Sequence, residues 1–317
     1  MILYLVLPCF NEEEILQESV KTLCCLYQTL FEEGKINCAS RILFVDDGSA
    51  DKTWNLISEI HKENEVVEGI RLSSNKGHQT AIYAGIETSL QYADAIITMD
   101  ADLQQDPLAV PQFLDMYHQG YDVVCGIRKN RNTDSFLKKA TASAYYKILK
   151  ILGCSVIEQS ADYRLLSKKA ANALIQHKEN NLFIRGLVPA LGFRRGTIYF
   201  DVGERKAGQS KYTCRKMMKL ALDGVTSFSI QPIRMVLCMG ITVSAISIVM
   251  ILYIIYAYFT SDIVSGWASL ATAIWFLGGV QLIGTGIVGE YVGRTYMESK
   301  HRPRYFIEDS TIKQEGK

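Results

Sequence analysis

The strongest constraint on this chain is a long region near its C-terminus that is almost free of charged residues. Residues 1–234 mix charged and apolar side chains, whereas residues 235–293 are almost entirely apolar. Two stretches in that region carry no charged residue: Met235 to Phe259, about 25 residues, and Trp267 to Gly289, about 23 residues. About 20 apolar residues let a helix cross the roughly 30 Å hydrocarbon core of a bilayer. The sequence therefore predicts a pair of transmembrane helices.

Charges beside the two apolar stretches indicate how the pair is oriented. The connecting segment, Thr260 to Gly266, contains Asp262 but no lysine or arginine, whereas Arg234 and Arg294 flank the pair on the outside. Loops rich in lysine and arginine stay on the cytoplasmic side of a membrane. We therefore expect a multi-pass protein of the cell (inner) membrane, with the large N-terminal domain and both termini in the cytoplasm.

The apolar stretches and two basic amphipathic segments divide the chain into four predicted parts. Basic amphipathic helices are predicted at 136–151 and 214–230; they suit the headgroup layer of a membrane, although ordinary surface helices have the same pattern. The predicted parts are a cytoplasmic domain at 1–213, a juxtamembrane amphipathic helix at 214–232, two transmembrane helices within 233–293 (about 235–259 and 267–292), and a cytoplasmic tail at 294–317.

Overall composition excludes several classes of protein. The 317 residues carry a net charge of +1, whereas a nucleic-acid-binding protein normally has a clear basic excess. The eight cysteines form no C-x-x-C pair, so neither a zinc site nor a thioredoxin-like motif is indicated. The first eight residues are apolar but lack a basic flank and a cleavage site, which indicates a first strand rather than a signal peptide.

Short apolar runs alternate with longer amphipathic stretches between residues 2 and 126. This alternation predicts an α/β fold with a parallel sheet covered by helices on both faces. Such a sheet binds ligands at the carboxyl ends of its strands, where polar residues follow the apolar runs. The predicted strands are Ile2–Leu7, Arg41–Val45, Val66–Leu72, Ala95–Met99 and Asp122–Cys125.

Asp100 and Asp102 come directly after the fourth predicted strand. In an extended backbone, residues two apart face the same side, so the two carboxylates repel each other unless a cation lies between them. Hard divalent ions prefer carboxylate and phosphate oxygens. The pair therefore predicts Mg²⁺ or Mn²⁺ held against a nucleotide diphosphate, although helix capping and turn formation explain the same two residues equally well.

Polar residues after the other strands also have two interpretations. Asp46 and Asp47 could bind a ribose or a base edge, or could form a local turn. Asn11 could cap a helix with Glu14 as its reciprocal partner. His78 follows a Lys-Gly pair without the glycines of a phosphate-binding P-loop, and it is interpreted as the first residue of a helix.

Together these motifs resemble the GT-A domain of glycosyltransferase family 2. The full series looks like the polyprenyl-phosphate glycosyltransferases, the group that includes bactoprenol glucosyltransferases and dolichyl-phosphate mannose synthases, and the resemblance covers residues 1 to about 305. The motifs that carry it are Pro8-x-x-Asn11-Glu12-Glu13, Val45-Asp46-Asp47-Gly48-Ser49, Asn75-Lys76-Gly77, Asp100-Ala101-Asp102-Leu103-Gln104, Gly126-Ile127-Arg128, Asp162-Tyr163-Arg164-Leu165-Leu166, Glu204-Arg205-x-x-Gly208-x-Ser210-Lys211-Tyr212 and Gly289-Glu290-Tyr291-Val292-Gly293-Arg294.

The resemblance implies roles for the matching residues. Asp162 would orient the incoming nucleophile, and Asp100 and Asp102 would bind the metal ion, with Asp102 also counted as catalytic. Arg128, and by its spacing Arg131, would meet the acceptor phosphate. The residues expected to bind the nucleotide-sugar are Pro8, Phe10, Glu12, Val45, Asp47, Asp100, Ala101, Gln104, Arg205 and Lys211.

The resemblance also implies a reaction. It is the inverting, divalent-metal-dependent transfer of glucose or another hexose from a UDP-sugar to polyprenyl (undecaprenyl) phosphate, carried out by a homo-oligomer, in relatives a tetramer.

Two alternative functions stay open. Processive polysaccharide synthases share the nucleotide-sugar domain, but they carry Q-x-x-R-W where this chain has Met235 after Arg234, and they have more membrane spans. A non-catalytic membrane scaffold could also keep the fold, although no acidic or basic position of the motifs is missing.

Overall fold

The computed structural model describes residues 1–129, 160–179, 184–201, 231–260 and 266–312. These residues belong to two compact units. The first unit contains the described residues up to Asp201 together with those from Pro303 onward, and the second contains the described residues between Gln231 and Arg302. The chain therefore leaves the first unit and returns to it near the C-terminus.

Eight strands form the sheet of the first unit: β1 Leu3–Cys9, β2 Arg41–Asp46, β3 Val67–Leu72, β4 Ala95–Thr98, β5 Val123–Arg128, β6 Ser160–Ser167, β7 Arg195–Phe200 and β8 Ile307–Ser310. Their order is β7-β5-β6-β4-β1-β2-β3-β8. Pairs β1–β2, β1–β4, β2–β3 and β5–β7 are parallel, whereas β6 and β8 pair antiparallel with their neighbours. The predicted α/β class with a mostly parallel sheet is confirmed, and the five predicted strands correspond to β1–β5.

The described residues of the first unit contain six α-helices: α1 Leu16–Glu32, α2 Thr53–Glu63, α3 His78–Ser89, α4 Val110–His118, α5 Lys168–Ile175 and α6 Ile184–Ala190. All seven residues of β1 are buried, as expected for a parallel strand covered on both faces. Helix α3 approaches β1 and β2 very closely, because a Cβ on Gly85 would lie 2.3 Å from Val6 Cγ1 and 2.8 Å from Val45 Cγ2. Glycine at this position therefore lets α3 pack closely against these two strands.

Strand β6 brings a distant part of the chain to the same edge of the sheet. It lies between β4 and β5 and runs antiparallel to both, with Thr98 in register with Arg164. The Thr98 hydroxyl donates a hydrogen bond to the Asp162 carbonyl oxygen over 2.7 Å. Because β6 runs in the opposite direction, its first residues lie at the carboxyl end of β4, close to Asp100.

The C-terminal residues add the edge strand β8 beside β3. Thr311 accepts a hydrogen bond from Gly69 N–H through its Oγ1 over 2.8 Å, and its own N–H donates to the Gly69 carbonyl oxygen over 2.9 Å. The Trp54 indole N–H donates to Asp309 Oδ2 over 3.1 Å. Residues 307–310 of the segment predicted as a tail at 294–317 are thus part of the sheet of the first unit.

The second unit contains two long helices, α7 Gln231–Thr260 and α8 Trp267–Ser299. Large apolar side chains on both helices are exposed, among them Leu252, Ile274 and Leu282. Within the described part of the chain, no helix combines the length and the apolar character that a membrane crossing needs. The amphipathic helices predicted at 136–151 and 214–230 lie outside the described residues.

Candidate active site

The loops after β1, β2 and β3 are joined into one structure, which we call the loop junction (residues 10–13, 46–53 and 73–77). Its hydrogen bonds connect backbone N–H groups to short polar side chains. Asn11 N–H donates to Ser49 Oγ over 2.9 Å, Glu12 N–H donates to Thr53 Oγ1 over 3.0 Å, and Ala50 N–H donates to Asn11 Oδ1 over 2.9 Å. Asn11 therefore contacts the loop after β2, and the helix cap predicted for it is wrong, because α1 begins only at Leu16.

Asp47 connects the loop after β2 to the loop after β3. Its Oδ1 accepts a hydrogen bond from Lys76 N–H over 2.7 Å, and its Oδ2 accepts one from Gly77 N–H over 2.8 Å. Gly77 has a φ of 90°, a conformation in which a Cβ is strained. Burial raises the pKa of Asp47, although these two backbone bonds oppose the rise. Asp47 therefore fixes the backbone immediately before α3.

Asp46, the last residue of β2 and the first of its loop in this junction, is fully buried. Its Oδ1 accepts a hydrogen bond from Ser49 N–H over 3.1 Å, and its Oδ2 lies 3.5 Å from Arg71 Nε. Burial raises the pKa of Asp46, while the hydrogen bonds from Ser49 and the charge of Arg71 oppose the rise. Asp46 thus forms the base of the turn, as the local-turn interpretation predicted.

The loop after β4 holds the predicted metal-binding aspartates. Gln105 bonds Asp100 twice: its Nε2 donates to Asp100 Oδ2 over 2.6 Å, and its Oε1 accepts from Asp100 N–H over 3.0 Å. Asp102 Oδ1 accepts a hydrogen bond from Gln104 N–H over 3.1 Å, across Leu103, which has a φ of 53°. The turn interpretation of this loop is therefore confirmed, and the two carboxylates remain at the sheet edge, where the metal interpretation also places them.

The chemistry of the two aspartates fits a divalent cation. Burial raises the pKa of Asp100; His78 and Arg128 oppose the rise, and the nearby carboxylates of Asp162 and Asp102 add to it. A cation would relieve this repulsion, and the carboxylate oxygens are the hard donors that Mg²⁺ and Mn²⁺ prefer. Among the described residues, no three His, Cys, Asp or Glu side chains are grouped so that they could hold a metal ion.

Asp162 is the centre of a second cluster, which we call the Asp162 network (His78, Gln79, Asp162, Arg164 and Arg185). Arg185 donates to Asp162 through two nitrogens, Nε to Oδ1 over 3.1 Å and Nη2 to Oδ2 over 2.8 Å. Arg164 Nη2 donates to Oδ1 over 2.5 Å, and Gln79 Nε2 donates to Oδ2 over 3.4 Å. His78 Nε2 lies 3.5 Å from Asp162 Oδ2 and 3.5 Å from Asp100 Oδ1. The imidazole thus lies between the two carboxylates.

These contacts determine the charge of Asp162. Burial alone would raise the pKa of this carboxyl, but the charge of Arg185, the hydrogen bond of His78 and the charge of Arg164 outweigh it and lower the pKa well below its usual range. A carboxylate has about four lone-pair positions, and these donors use most of them. Asp162 is therefore ionised at neutral pH and orients its neighbours, and it is a weak proton acceptor.

Other predicted residues have different surroundings. Val45 and Ala101 are buried, as is Pro8, so they shape the loops from below. Phe10, Glu12 and Gln104 are partly exposed at the sheet edge, as is Arg128, which ends β5. The predicted ligand-binding residues outside the described residues are Arg131, Arg205 and Lys211.

Four side chains of this site, His78, Gln79, Gln105 and Arg185, were not predicted as site residues from the sequence. His78 is the first residue of α3, as predicted, but its ring also contacts two carboxylates. Gln105, rather than its neighbour Gln104, holds the Asp100 side chain. Arg185 is 23 residues from Asp162 in the chain, and no local pattern connects the two. The sequence contained one signal for a charge network, an aspartate followed two residues later by an arginine, at Asp162 and Arg164.

Comparisons with known proteins agree with this site. The family model for glycosyl transferase family 2 matches residues 4–175, which is more than half of the chain. The uncharacterized glycosyltransferase YkoT of Bacillus subtilis (strain 168) is 42% identical over 97% of this chain and 91% of its own length. The bactoprenol glucosyl transferase of Shigella phage SfV is 36% identical over 98% of this chain and 99% of its own.

A solved structure was also compared with the chain. The glucosyl-3-phosphoglycerate synthase of Mycobacterium tuberculosis aligns with a TM-score of 0.44 and 15% identity, over 71% of this chain and 77% of that one. The family match and the two relatives, together with an aspartate-rich edge on a mostly parallel sheet, lead to one conclusion. The chain is a glycosyltransferase and belongs to glycosyltransferase family 2.

Proposed function

We propose that this enzyme transfers a hexose, glucose first among the candidates, from a UDP-sugar to polyprenyl (undecaprenyl) phosphate and so forms a lipid-linked monosaccharide. The observation that carries this proposal is the match to the bactoprenol glucosyl transferase of phage SfV, which extends over 98% of this chain and 99% of that protein. A relative that matches a single domain would support only the donor half of the reaction. A match over both units supports the lipid acceptor as well.

Asp100 and Asp102 would hold Mg²⁺ or Mn²⁺ together with the donor diphosphate. When bound, the ion would neutralise charge on the departing nucleoside diphosphate. Gln105 fixes the Asp100 carboxylate through two hydrogen bonds, and the Asx turn at Asp102 fixes the second carboxylate. Both carboxylates are thus held in place before substrates bind, which is the arrangement that electrostatic stabilisation of a leaving group requires.

The loop junction would hold the nucleoside of the donor. Asp47 holds the backbone of Lys76 and Gly77, and Ser49 and Thr53 hold the backbone of Asn11 and Glu12. Phe10 and Glu12 are partly exposed at this edge, so their side chains are accessible to a ligand. The carboxyl ends of parallel strands are where α/β sheets bind nucleotides.

The chemical step would be a single displacement. An oxygen of the acceptor phosphate forms a bond to the anomeric carbon, the bond from that carbon to the donor diphosphate breaks, and the electron pair leaves with the nucleoside diphosphate. The configuration at the carbon is inverted. A phosphate monoester has a second pKa of about 6, so the nucleophile is already ionised in the cytosol and needs no strong base. Asp162, which is ionised at neutral pH, is suited to orienting groups in this step.

The pair α7 and α8 would keep the enzyme at the membrane that contains the lipid acceptor. The uncharged stretches 235–259 and 267–289 and the basic residues that flank them support this location. The sheet contains strands that precede and follow the pair, β7 and β8, so an even number of crossings would leave the site and both termini in the cytoplasm. The two transmembrane crossings and a tetrameric assembly stay predictions.

The proposal is tested with the purified full-length chain in lipid nanodiscs. UDP-glucose, UDP-N-acetylglucosamine and GDP-mannose are each supplied with undecaprenyl phosphate and Mg²⁺ or Mn²⁺, with undecaprenol as the matched control that lacks the phosphate. We expect a lipid-linked monosaccharide of inverted configuration from UDP-glucose, and no product from undecaprenol. A polymer would support a processive synthase instead, and no product from any donor would support the scaffold alternative.

A further inference from the structure

Two arginines contact Asp162, but they differ in exposure and in origin. Arg164 lies two residues further along β6, and 3% of its side-chain surface is exposed. Arg185 is on α6, and 34% of its side-chain surface is exposed. A buried arginine on the same strand stabilises the interior of the fold. A partly exposed arginine from another element lies at the surface of the site.

The bond between Arg185 and Asp162 has the geometry that controls orientation. Two parallel N–H···O bonds, from Nε and Nη2, hold both carboxylate oxygens. Such a fork fixes the plane of the carboxylate as well as its position, whereas a lysine gives a single point contact. The orientation of the Asp162 carboxylate therefore depends on Arg185.

Gln79 connects the start of α6 to the same carboxylate. Its Oε1 accepts a hydrogen bond from Ile184 N–H over 3.2 Å, and its Nε2 donates to Asp162 Oδ2 over 3.4 Å. Gln79 follows His78 in the first turn of α3, and the His78 ring lies 3.5 Å from Asp100. Arg185 is thus connected through Asp162 and α3 to the aspartate that begins the predicted metal-binding pair.

We infer that Arg185 is a positioning residue for sugar transfer: through its two-nitrogen fork it holds the Asp162 carboxylate in one orientation, and Asp162 in turn sets His78 against Asp100. The inference rests on the proposed function, because it assigns Arg185 a part in the same reaction. It also gives Asp162 a different part from that of a proton acceptor. Asp162 joins three elements, β6, α3 and α6, at the place where the two substrates would meet.

The test compares Arg185→Lys with the wild type and with a matched control. The lysine keeps the positive charge but loses the fork, and a small error in position costs about 100-fold in rate. We expect kcat to fall by about this factor, while the Kd for UDP-glucose stays within about twofold. The control is Arg194→Lys, because Arg194 is an exposed arginine that bonds the Gln119 carbonyl oxygen and stacks on Tyr121. This control should transfer sugar at the wild-type rate.

A double-mutant cycle shows whether Arg185 acts through Asp162. If it does, adding Arg185→Lys to Asp162→Asn lowers kcat by no more than about twofold beyond the single Asp162→Asn change. A full second loss in the double variant would overturn the inference, as would a rise in the donor Kd that equals the fall in kcat. A full second loss would mean that Arg185 contributes to transfer independently of Asp162. A matching rise in the donor Kd would mean that Arg185 only binds the donor.

Two further measurements keep the inference testable if one variant is unstable or if the acceptor is wrong. Gln79→Met removes both amide hydrogen bonds and leaves the ion pair, so it should lower kcat by a smaller factor than Arg185→Lys; an unchanged kcat would count against the network.

If the wild type makes no lipid-linked sugar, the proposed function fails. The Arg185 variants are then compared by the slow release of UDP from the donor in water, where the same order of rates is expected.

Discussion

The loop junction and the Asp162 network lie at the same edge of one sheet, yet they are built from different kinds of bond. In the loop junction, short polar side chains accept hydrogen bonds from backbone N–H groups, as Asp47 does from Lys76 and Gly77. In the Asp162 network, side chains contact side chains that are up to 84 residues apart. Removing the shared carboxylate therefore loosens a loop in the first region, whereas in the second it breaks a buried ion pair.

The largest expected effect comes from Asp162→Asn in the Asp162 network. Arg164 is buried and would lose its ion pair with Asp162, and breaking a buried ion pair costs about 3–5 kcal/mol. We expect the free energy of unfolding, measured by denaturant titration, to fall by this amount. Asp201→Asn is the control, since Asp201 is an exposed residue paired weakly with Lys129, and it should change little. A loss as small as that of the control would contradict the network.

Acid pH tests the same carboxylate in another way. The pKa of Asp162 is lower in the folded protein than its usual value, so its contribution to stability is complete above the unfolded pKa of about 3.9 and is lost as pH falls through the folded pKa. The difference in unfolding free energy between wild type and Asp162→Asn should therefore be full at about pH 6 and smaller at about pH 3. An equal difference at both pH values would mean that the charge of Asp162 is not responsible.

Asp102→Asn tests the metal assignment in a variant that should keep the fold. Asparagine can still accept the Gln104 hydrogen bond of the turn, but it has lost the negative charge that a cation needs. We expect transfer to fall by about 10²–10³-fold with an unchanged melting temperature, measured as lipid-linked product over a Mn²⁺ titration. Asp106→Asn is the matched control, because Asp106 accepts a hydrogen bond from Leu108 N–H in the same loop and asparagine caps a helix equally well. Wild-type turnover in Asp102→Asn would rule out the metal assignment.

A smaller loss is expected from Asp47→Asn in the loop junction. One of the two bonds to Lys76 and Gly77 is lost, which costs about 1.5–3 kcal/mol for a charged acceptor, and no cation is left unpaired. We expect this variant to be more stable than Asp162→Asn and to bind UDP-glucose more weakly, as measured by calorimetry. If Asp47→Asn proved the more destabilised of the two, the contrast between backbone and side-chain bonding would be wrong.

The smallest effect is expected at the edge strand. Thr311→Val removes the hydrogen bond from Gly69 N–H and should cost about 1 kcal/mol without any change in transfer. Thr29→Val is the control, because Thr29 is exposed on α1 and its hydroxyl donates to the Cys25 carbonyl oxygen of the same helix. Equal unfolding free energies for the two variants would mean that β8 contributes nothing to the sheet.

Local patterns explain which parts of the fold were predictable. Strands β1–β5 are short apolar runs that end in polar turns, so their type and position could be predicted from neighbouring residues. Strands β6, β7 and β8 were not predicted. Neither β6 nor β7 is a short apolar run that ends in a polar turn, and β8 is exposed along its whole length. Asp100 and Asp102 were identified by their spacing, whereas Gln105 was missed because its importance depends on where its side chain points.

The sequence by itself determined the α/β class, the five strands that carry the polar turns, the aspartate pair, and the family to which they belong. These features depend on residues a few positions apart, whose spacing limits their geometry. Only the tertiary structure decided that β6 lies antiparallel beside β4 and that Arg185, His78 and Gln79 meet on Asp162. Their contacts join residues separated by 23 to 84 positions, and which of the many charged residues come together depends on the order and direction of the strands.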